Sequence, residues 1–169
     1  MPDDSFHYEV IDGVLYVSPA PRPKHQAVSG NLFLALANHI RSRGLGWLYH
    51  APIGVRLPGQ PVPIQPDLVF VSEERESIIG EENIEGVPDL IIEILSPSNW
   101  LFDRRDKFQL YESTGVGEYW IVDYRARKVE IFVLEKGAFT LLGEWREGEI
   151  AHSRVLPGFS IAVDDVFEH

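Results

Sequence analysis

Two short apolar runs constrain this chain more than any other feature. Residues 68–71 read LVFV and residues 90–95 read LIIEIL, and each follows a Pro-Asp pair. Both are too short for ordinary helices and too uniformly apolar for a half-solvated strand, so they read as internal strands covered on both faces. In the second run Glu93 breaks the apolar pattern. A carboxylate carried into a covered sheet needs a cation, a metal or several donors beside it. The alternative is an edge strand with Glu93 turned to water.

The flanking patterns supply the other layers. YEVIDGVLYV at 8–17 places Asp12-Gly13 between two β-prone runs, a hairpin signal. SPAPRP at 18–23 is a connector. From Lys24 the apolar residues Val28, Leu32, Leu36 and Ile40 recur at helical spacing, with Leu34 and Ala35 widening the stripe; this helix should end near Ser42, before Gly44 and Gly46. A strand is expected over 47–57, interrupted by Pro52 and Gly54, and an acidic surface loop with one helical turn over 72–86. Asp103 reads as a helix N-cap with Asp106 three residues on, and Phe108, Leu110 and Tyr111 as that helix's apolar face. Strands follow over 118–124, 128–134 and 138–142, then shorter ones over 150–155 and 157–163, with Asp164 capping a last helical turn. No domain boundary appears in the 169 residues. The order predicts one domain over 1–169, of mixed α/β (α+β) class, with a central mixed sheet and few helices.

Asp67 begins the first apolar strand directly after a proline. Alone it could be a turn residue. Paired with Glu93 on a second such strand, it makes a two-carboxylate metal-site candidate, and Mg²⁺ is content with one or two carboxylates and several waters. Lys107 follows on the next helix. It is placed either to form a surface pair with Asp103 or to reach back to the carboxylates and stabilise charge. Glu9 is either an outward hairpin residue or a third carboxylate. His25 reads as a helix-terminal polar residue that could reach a phosphate, and Tyr119 and Trp120 as core. No phosphate-binding glycine loop, nucleophile elbow or zinc-type histidine spacing is present.

Composition excludes more than it selects. Without cysteine there is no disulfide, thiolate metal site or cysteine nucleophile. The first residues carry neither a basic segment nor an apolar core, and no stretch is long and apolar enough to span a membrane, so a soluble cytoplasmic protein is expected. The formal charge is −11, with the excess concentrated over residues 67–99 and in the C-terminal segment. That is awkward for a nucleic-acid enzyme, because backbone binding is driven by cations. A divalent cation would offset part of it locally.

The run PDLIIEILSPSNWLFDRRDKFQLYESTGVGEYWIVD, with upstream PDLVFV and N-terminal YEVIDG, resembles the Uma-type restriction-endonuclease-like proteins of bacteria, within the PD-(D/E)XK nuclease superfamily. The resemblance extends from about Tyr8 to Phe167. It implies a restriction-endonuclease-like fold, a central mixed sheet flanked by helices, and a Mg²⁺-dependent endonuclease of DNA for which Mn²⁺ could substitute. By position it puts the catalytic and metal-binding aspartate at Asp67 and the acidic partner at Glu93. Leu95 fills the place of the usual lysine, and Lys107 in RRDKFQLY takes over that role. Glu9 and His25 match recurrent family positions. A homodimer would suit cleavage of both strands of a duplex, and apolar strands near the C-terminus could supply its interface. Two other readings stay open: a non-catalytic interaction or regulatory protein that keeps the fold, and an enzyme of small phosphoesters or nucleotides, which would need fewer basic contacts.

Overall fold

The computed structural model describes residues 6–96 and 103–168. Its centre is a six-stranded mixed sheet in the order β10-β9-β8-β7-β5-β3. These strands are β3 (Gly46–His50), β5 (Leu68–Ser72), β7 (Leu90–Ile94), β8 (Glu118–Asp123), β9 (Lys128–Glu135) and β10 (Ala138–Arg146). Only β7 and β8 pair in parallel; every other neighbour is antiparallel. The expected mixed α+β architecture, a central sheet flanked by helices, is what forms. The expected strand over 47–57 is split: β3 ends at His50, and β4 (Gly54–Val55) pairs instead with β6 (Asn83–Ile84).

The apolar runs of β5 and β7 are buried on both faces because each face carries its own core. Leu68, Phe70, Leu90, Ile92 and Ile94 pack beneath α1 (Pro23–Arg43). Val69, Val71, Ile91 and Leu95 face the opposite layer, which includes α2 (Phe108–Thr114). Helix α1 starts with Pro at its first turn, where a missing N–H costs nothing, and stops at Gly44, whose φ of 61° suits the left-handed cap. Its stripe is Val28, Leu32, Leu36 and Ile40, all buried. Leu34 does not join it: at 63% exposure it points to solvent.

The hairpin of β1 (Phe6–Ile11) and β2 (Val14–Pro19) turns through Asp12 and Gly13 at φ 49° and 79°, the positive pair that a two-residue hairpin loop needs. Its buried positions are Glu9, Ile11 and Ser18, so one face turns inward. The remaining elements are a 3₁₀ segment at Glu73–Ile78, the pair β11 (Ile150–His152) and β12 (Ser160–Ala162), and α3 (Val163–Phe167). Among the described residues no helix is long and apolar enough to cross a membrane.

The capping roles expected of Asp106 and Asp164 are corrected. Residues Asp103–Lys107 form a π-helical turn ahead of α2, and Asp106 accepts a hydrogen bond from the Tyr16 hydroxyl at 2.9 Å; the Asp103 side chain and Pro97 lie outside the described residues. Helix α3 is preceded by Ala162, and Asp164 instead accepts the Gly148 N–H from the adjoining turn at 2.8 Å.

Candidate functional site

The site begins with strand register. Leu68 pairs with Ile92 and Val69 with Ile91 across the antiparallel β5–β7 ladder. One further step in that register sets Asp67 across from Glu93. Asp67 lies just ahead of β5, where the ladder opens, and its Oδ2 accepts the Ile94 N–H at 2.7 Å. That bond ties the carboxylate to the neighbouring strand. Its Oδ1 lies 3.2 Å from His25 Nε2. His25 stands in the first turn of α1 and is buried, so the start of that helix reaches the site.

Glu93 lies on the α2 side of the sheet, as does Leu95 two residues on. Leu95 is packed into that core. The cation comes from the helical segment instead. Lys107 Nζ donates to Glu93 Oε1 at 3.0 Å and lies 3.2 Å from Glu9 Oε2. Glu9 Oε1 accepts the Gln65 N–H at 3.1 Å. One helical turn after Lys107, the Tyr111 hydroxyl donates to Glu93 Oε1 at 2.5 Å. Burial, and then the Glu93 carboxylate, push the Tyr111 phenol well above its ordinary pKa, so it stays a proton donor. Glu9, Glu93, Lys107 and Tyr111 are all buried.

Asp67, Glu93, Glu9, His25 and Lys107 thus line one cavity of about 270 Å³. Of the two readings of Glu9, the inward one holds. Lys107 reaches the carboxylates, and His25 is a wall of the cavity. Arg104 is directed elsewhere, in a bidentate pair with Glu130 of β9 that includes a 3.0 Å Nη2–Oε1 bond, and Arg105 is exposed. Two carboxylates lining one cavity from register-paired positions, with Glu9 as a third, supply hard oxygen donors, the chemistry that Mg²⁺ and Mn²⁺ take. Among the described residues no three His, Asp or Glu side chains gather closely enough to hold a metal by themselves. A cation held by Asp67 and Glu93 would therefore complete its coordination with water or substrate, and the donor set fits that.

Sequence reasoning missed Tyr111, which reads as part of an apolar helix face, and Glu118. Glu118 is completely buried and accepts bonds from Trp120 Nε1, Ser153 Oγ and the N–H groups of Arg154 and Val155. It closes a loop and lies outside the cavity lining.

A family model described as "Uma2: Putative restriction endonuclease" matches residues 1–164. The chain belongs to the Uma2 family. Among solved structures it is similar to a protein from Anabaena variabilis ATCC 29413, described as a putative nuclease belonging to DUF820. That match has a TM-score of 0.77 at 16% identity and covers 99% of this chain and 93% of the other. At that identity the likeness speaks for the fold. No curated protein matches the chain. Membership in Uma2, with this sheet, agrees with a PD-(D/E)XK-like superfamily.

Proposed function

We propose that the cavity is a metal-dependent phosphodiesterase site and that this Uma2 protein is an endonuclease of DNA. The observation that supports it most is the placement of Asp67, just ahead of β5, across from Glu93 of β7, with the Lys107 ammonium 3.0 Å from Glu93. Asp67 and Glu93 are the residues that would hold Mg²⁺ or Mn²⁺. When bound, such a cation polarises a phosphoryl oxygen and makes its water more acidic. The chain's own groups do the rest. Lys107 stabilises the negative charge that develops as water adds to phosphorus and the P–O bond to the leaving alcohol breaks. The Ile94 N–H and the Tyr111 hydroxyl hold the two carboxylates in fixed orientations. His25 lies beside Asp67, where a phosphate oxygen could be met.

A second reading, a non-catalytic protein that keeps the fold, is favoured by one observation: Lys107 is already paired with two carboxylates in a chain of net charge −11. Calorimetric titration with Mn²⁺, followed by cleavage assays on supercoiled, linear and single-stranded DNA, separates the two. Saturable metal binding, at least tenfold weaker in Glu93→Gln, together with metal-dependent cleavage is the outcome expected for the nuclease. Equal binding by both proteins refutes the ligand assignment. Metal binding without cleavage of any form supports the non-catalytic reading.

A further inference from the structure

The groups assigned to chemistry are too enclosed for a continuous duplex. The side chains of Glu93 and Lys107 are each 4% exposed, that of Glu9 6% and that of Asp67 16%. They stand at the bottom of a cavity walled by the β1–β2 hairpin, the first turn of α1 and the loop after β3. Its volume of about 270 Å³ lies at the lower edge of pockets that hold one small ligand. A phosphate in a base-paired helix is held on a stiff scaffold whose major groove alone is about 12 Å wide. Bringing such a phosphate to side chains this buried would press the scaffold against the hairpin wall. An unpaired nucleotide can reach them, because its backbone torsions are free.

Charge points the same way. Duplex binding relies on many Lys and Arg contacts spread over successive phosphates. Among the described residues lining the cavity, Lys107 is the sole lysine or arginine, and it is held by Glu9 and Glu93. One cation, two imidazoles from His7 and His25, and the amides of Gln26 and Gln65 suit one phosphodiester with one base or sugar. They do not suit a track along a double helix. The proline-rich rim of Pro19, Pro21 and Pro52 offers apolar surface for a base.

We infer that this site takes a single unpaired nucleotide unit carrying a phosphodiester, supplied by single-stranded DNA or by a small nucleotide diester. This rests on the phosphodiesterase reading. It narrows that reading to substrates outside a duplex and removes the need for a dimer that cuts two strands together.

The test uses the full chain with Mn²⁺ and three probes: a labelled single-stranded oligodeoxynucleotide, the same sequence annealed to its complement, and thymidylyl-(3′→5′)-thymidine. Hydrolysis is followed for all three, and binding of the dinucleoside phosphate by calorimetry. The expected result is turnover of the single strand or the dinucleoside phosphate at least tenfold faster than of the duplex. Their relative rates tell which source is preferred. Gln26→Trp sets a large ring at the exposed mouth of the cavity, and Gln26→Ala, which removes the amide without adding bulk, is its control. The tryptophan variant should cut turnover at least tenfold while leaving the melting temperature unchanged. Duplex cleaved as fast as single strand overturns the inference and leaves the nuclease reading standing. Unimpaired turnover in a folded Gln26→Trp also overturns it. Dinucleoside binding that is lost in Gln26→Trp, without hydrolysis of any probe, sustains the inference and refutes the nuclease. Neither binding nor hydrolysis refutes both.

Discussion

The Tyr111 hydroxyl and the Glu93 carboxylate are joined by a 2.5 Å hydrogen bond at the buried floor of the cavity. Lys107 donates to the same oxygen, Oε1. Two donors on one oxygen fix the plane of the carboxylate and its orientation toward the cavity. Glu93→Gln keeps the shape and removes the charge, which is why it serves as the metal-binding test.

Tyr111→Phe removes one of those donors and little volume. A hydrogen bond to a charged group contributes about 1.5–3 kcal/mol, and a loss of that size is expected in denaturant unfolding near neutral pH. The pH dependence has a definite sign. The folded-state pKa of Tyr111 is raised above the unfolded value of about 10, so its contribution is complete below that pH. It declines as pH rises toward the folded value, because the unfolded chain then loses a proton that the folded chain retains. The stability gap between wild type and Tyr111→Phe should therefore narrow above about pH 10. A gap that widens there would contradict the burial and charge argument.

How much was legible follows from where each partner lies along the chain. Glu93 was legible because it violates an apolar run, and Asp67 because it opens a matching one. Their neighbours Glu9 and Lys107 were legible only as one of two alternatives each. Glu9 alternates within a hairpin whose residues read equally well with either face inward; which face meets the protein depends on Gln65 and Lys107, far along the chain. Lys107 was harder still, because the π-helical turn over Asp103–Lys107 alters the angular step that places a side chain on a helix face. The capping pattern at Asp103 and Asp106 assumed a regular first turn, and Asp106 turned to the hairpin's Tyr16 instead. The sheet was easier to read, since apolar runs and turn residues are local signals, but the split after His50 required a long-range pairing between β4 and β6.

Glu118 offers a contrast between a buried carboxylate that supports structure and those in the cavity. Its partner Ser153 lies 35 residues away, and the two backbone donors follow directly after it. Glu118→Ala strands several buried donors, each costing about 1–3 kcal/mol, so a total loss of roughly 3 kcal/mol or more is expected. Glu118→Gln should lose less, since its carbonyl can still accept. Mn²⁺ affinity of the folded fraction should not change in either variant. A large drop in affinity would extend the metal site to Glu118.

Arg104 separates positioning from charge. Its guanidinium is bidentate on the buried Glu130, with Lys128 3.5 Å from the same carboxylate. Arg104→Ala should destabilise by about 2 kcal/mol, below the usual penalty for breaking a buried pair because Lys128 remains. It anchors the turn that carries Lys107, so the variant should retain metal binding and lose less activity than Lys107→Ala. Complete inactivity of a folded Arg104→Ala alongside an active Lys107→Ala would show that Arg104 is the catalytic cation.

Lys107→Ala is the variant on which the nuclease reading is most exposed. A lysine in a surface pair with Asp103 could be removed without loss of the fold, but Lys107 is not placed that way. The ammonium lies between Glu9 and Glu93, and both side chains are almost fully buried. Removing it leaves two carboxylates facing each other in a region of low dielectric, where breaking a buried pair costs about 3–5 kcal/mol. A clear drop in melting temperature is therefore expected. Glu9→Gln added to Lys107→Ala removes one of the stranded charges, so the double variant should recover part of the loss. The size of that recovery measures the Lys107–Glu9 coupling in a double-mutant cycle. Mn²⁺ supplies a second discriminator. A cation held by Asp67 and Glu93 would replace the lost positive charge, and binding to the folded state alone raises stability. Mn²⁺ should thus raise the melting temperature of Lys107→Ala more than that of wild type, while phosphodiester cleavage stays lost because the group that stabilises charge on phosphorus is absent. Lys107→Arg should also cleave poorly, because a planar fork cannot sit where a compact ammonium meets both carboxylates. Equal shifts with Mn²⁺ in wild type and Lys107→Ala would count against a metal at Glu93, and full cleavage by a folded Lys107→Ala would remove Lys107 from the chemistry.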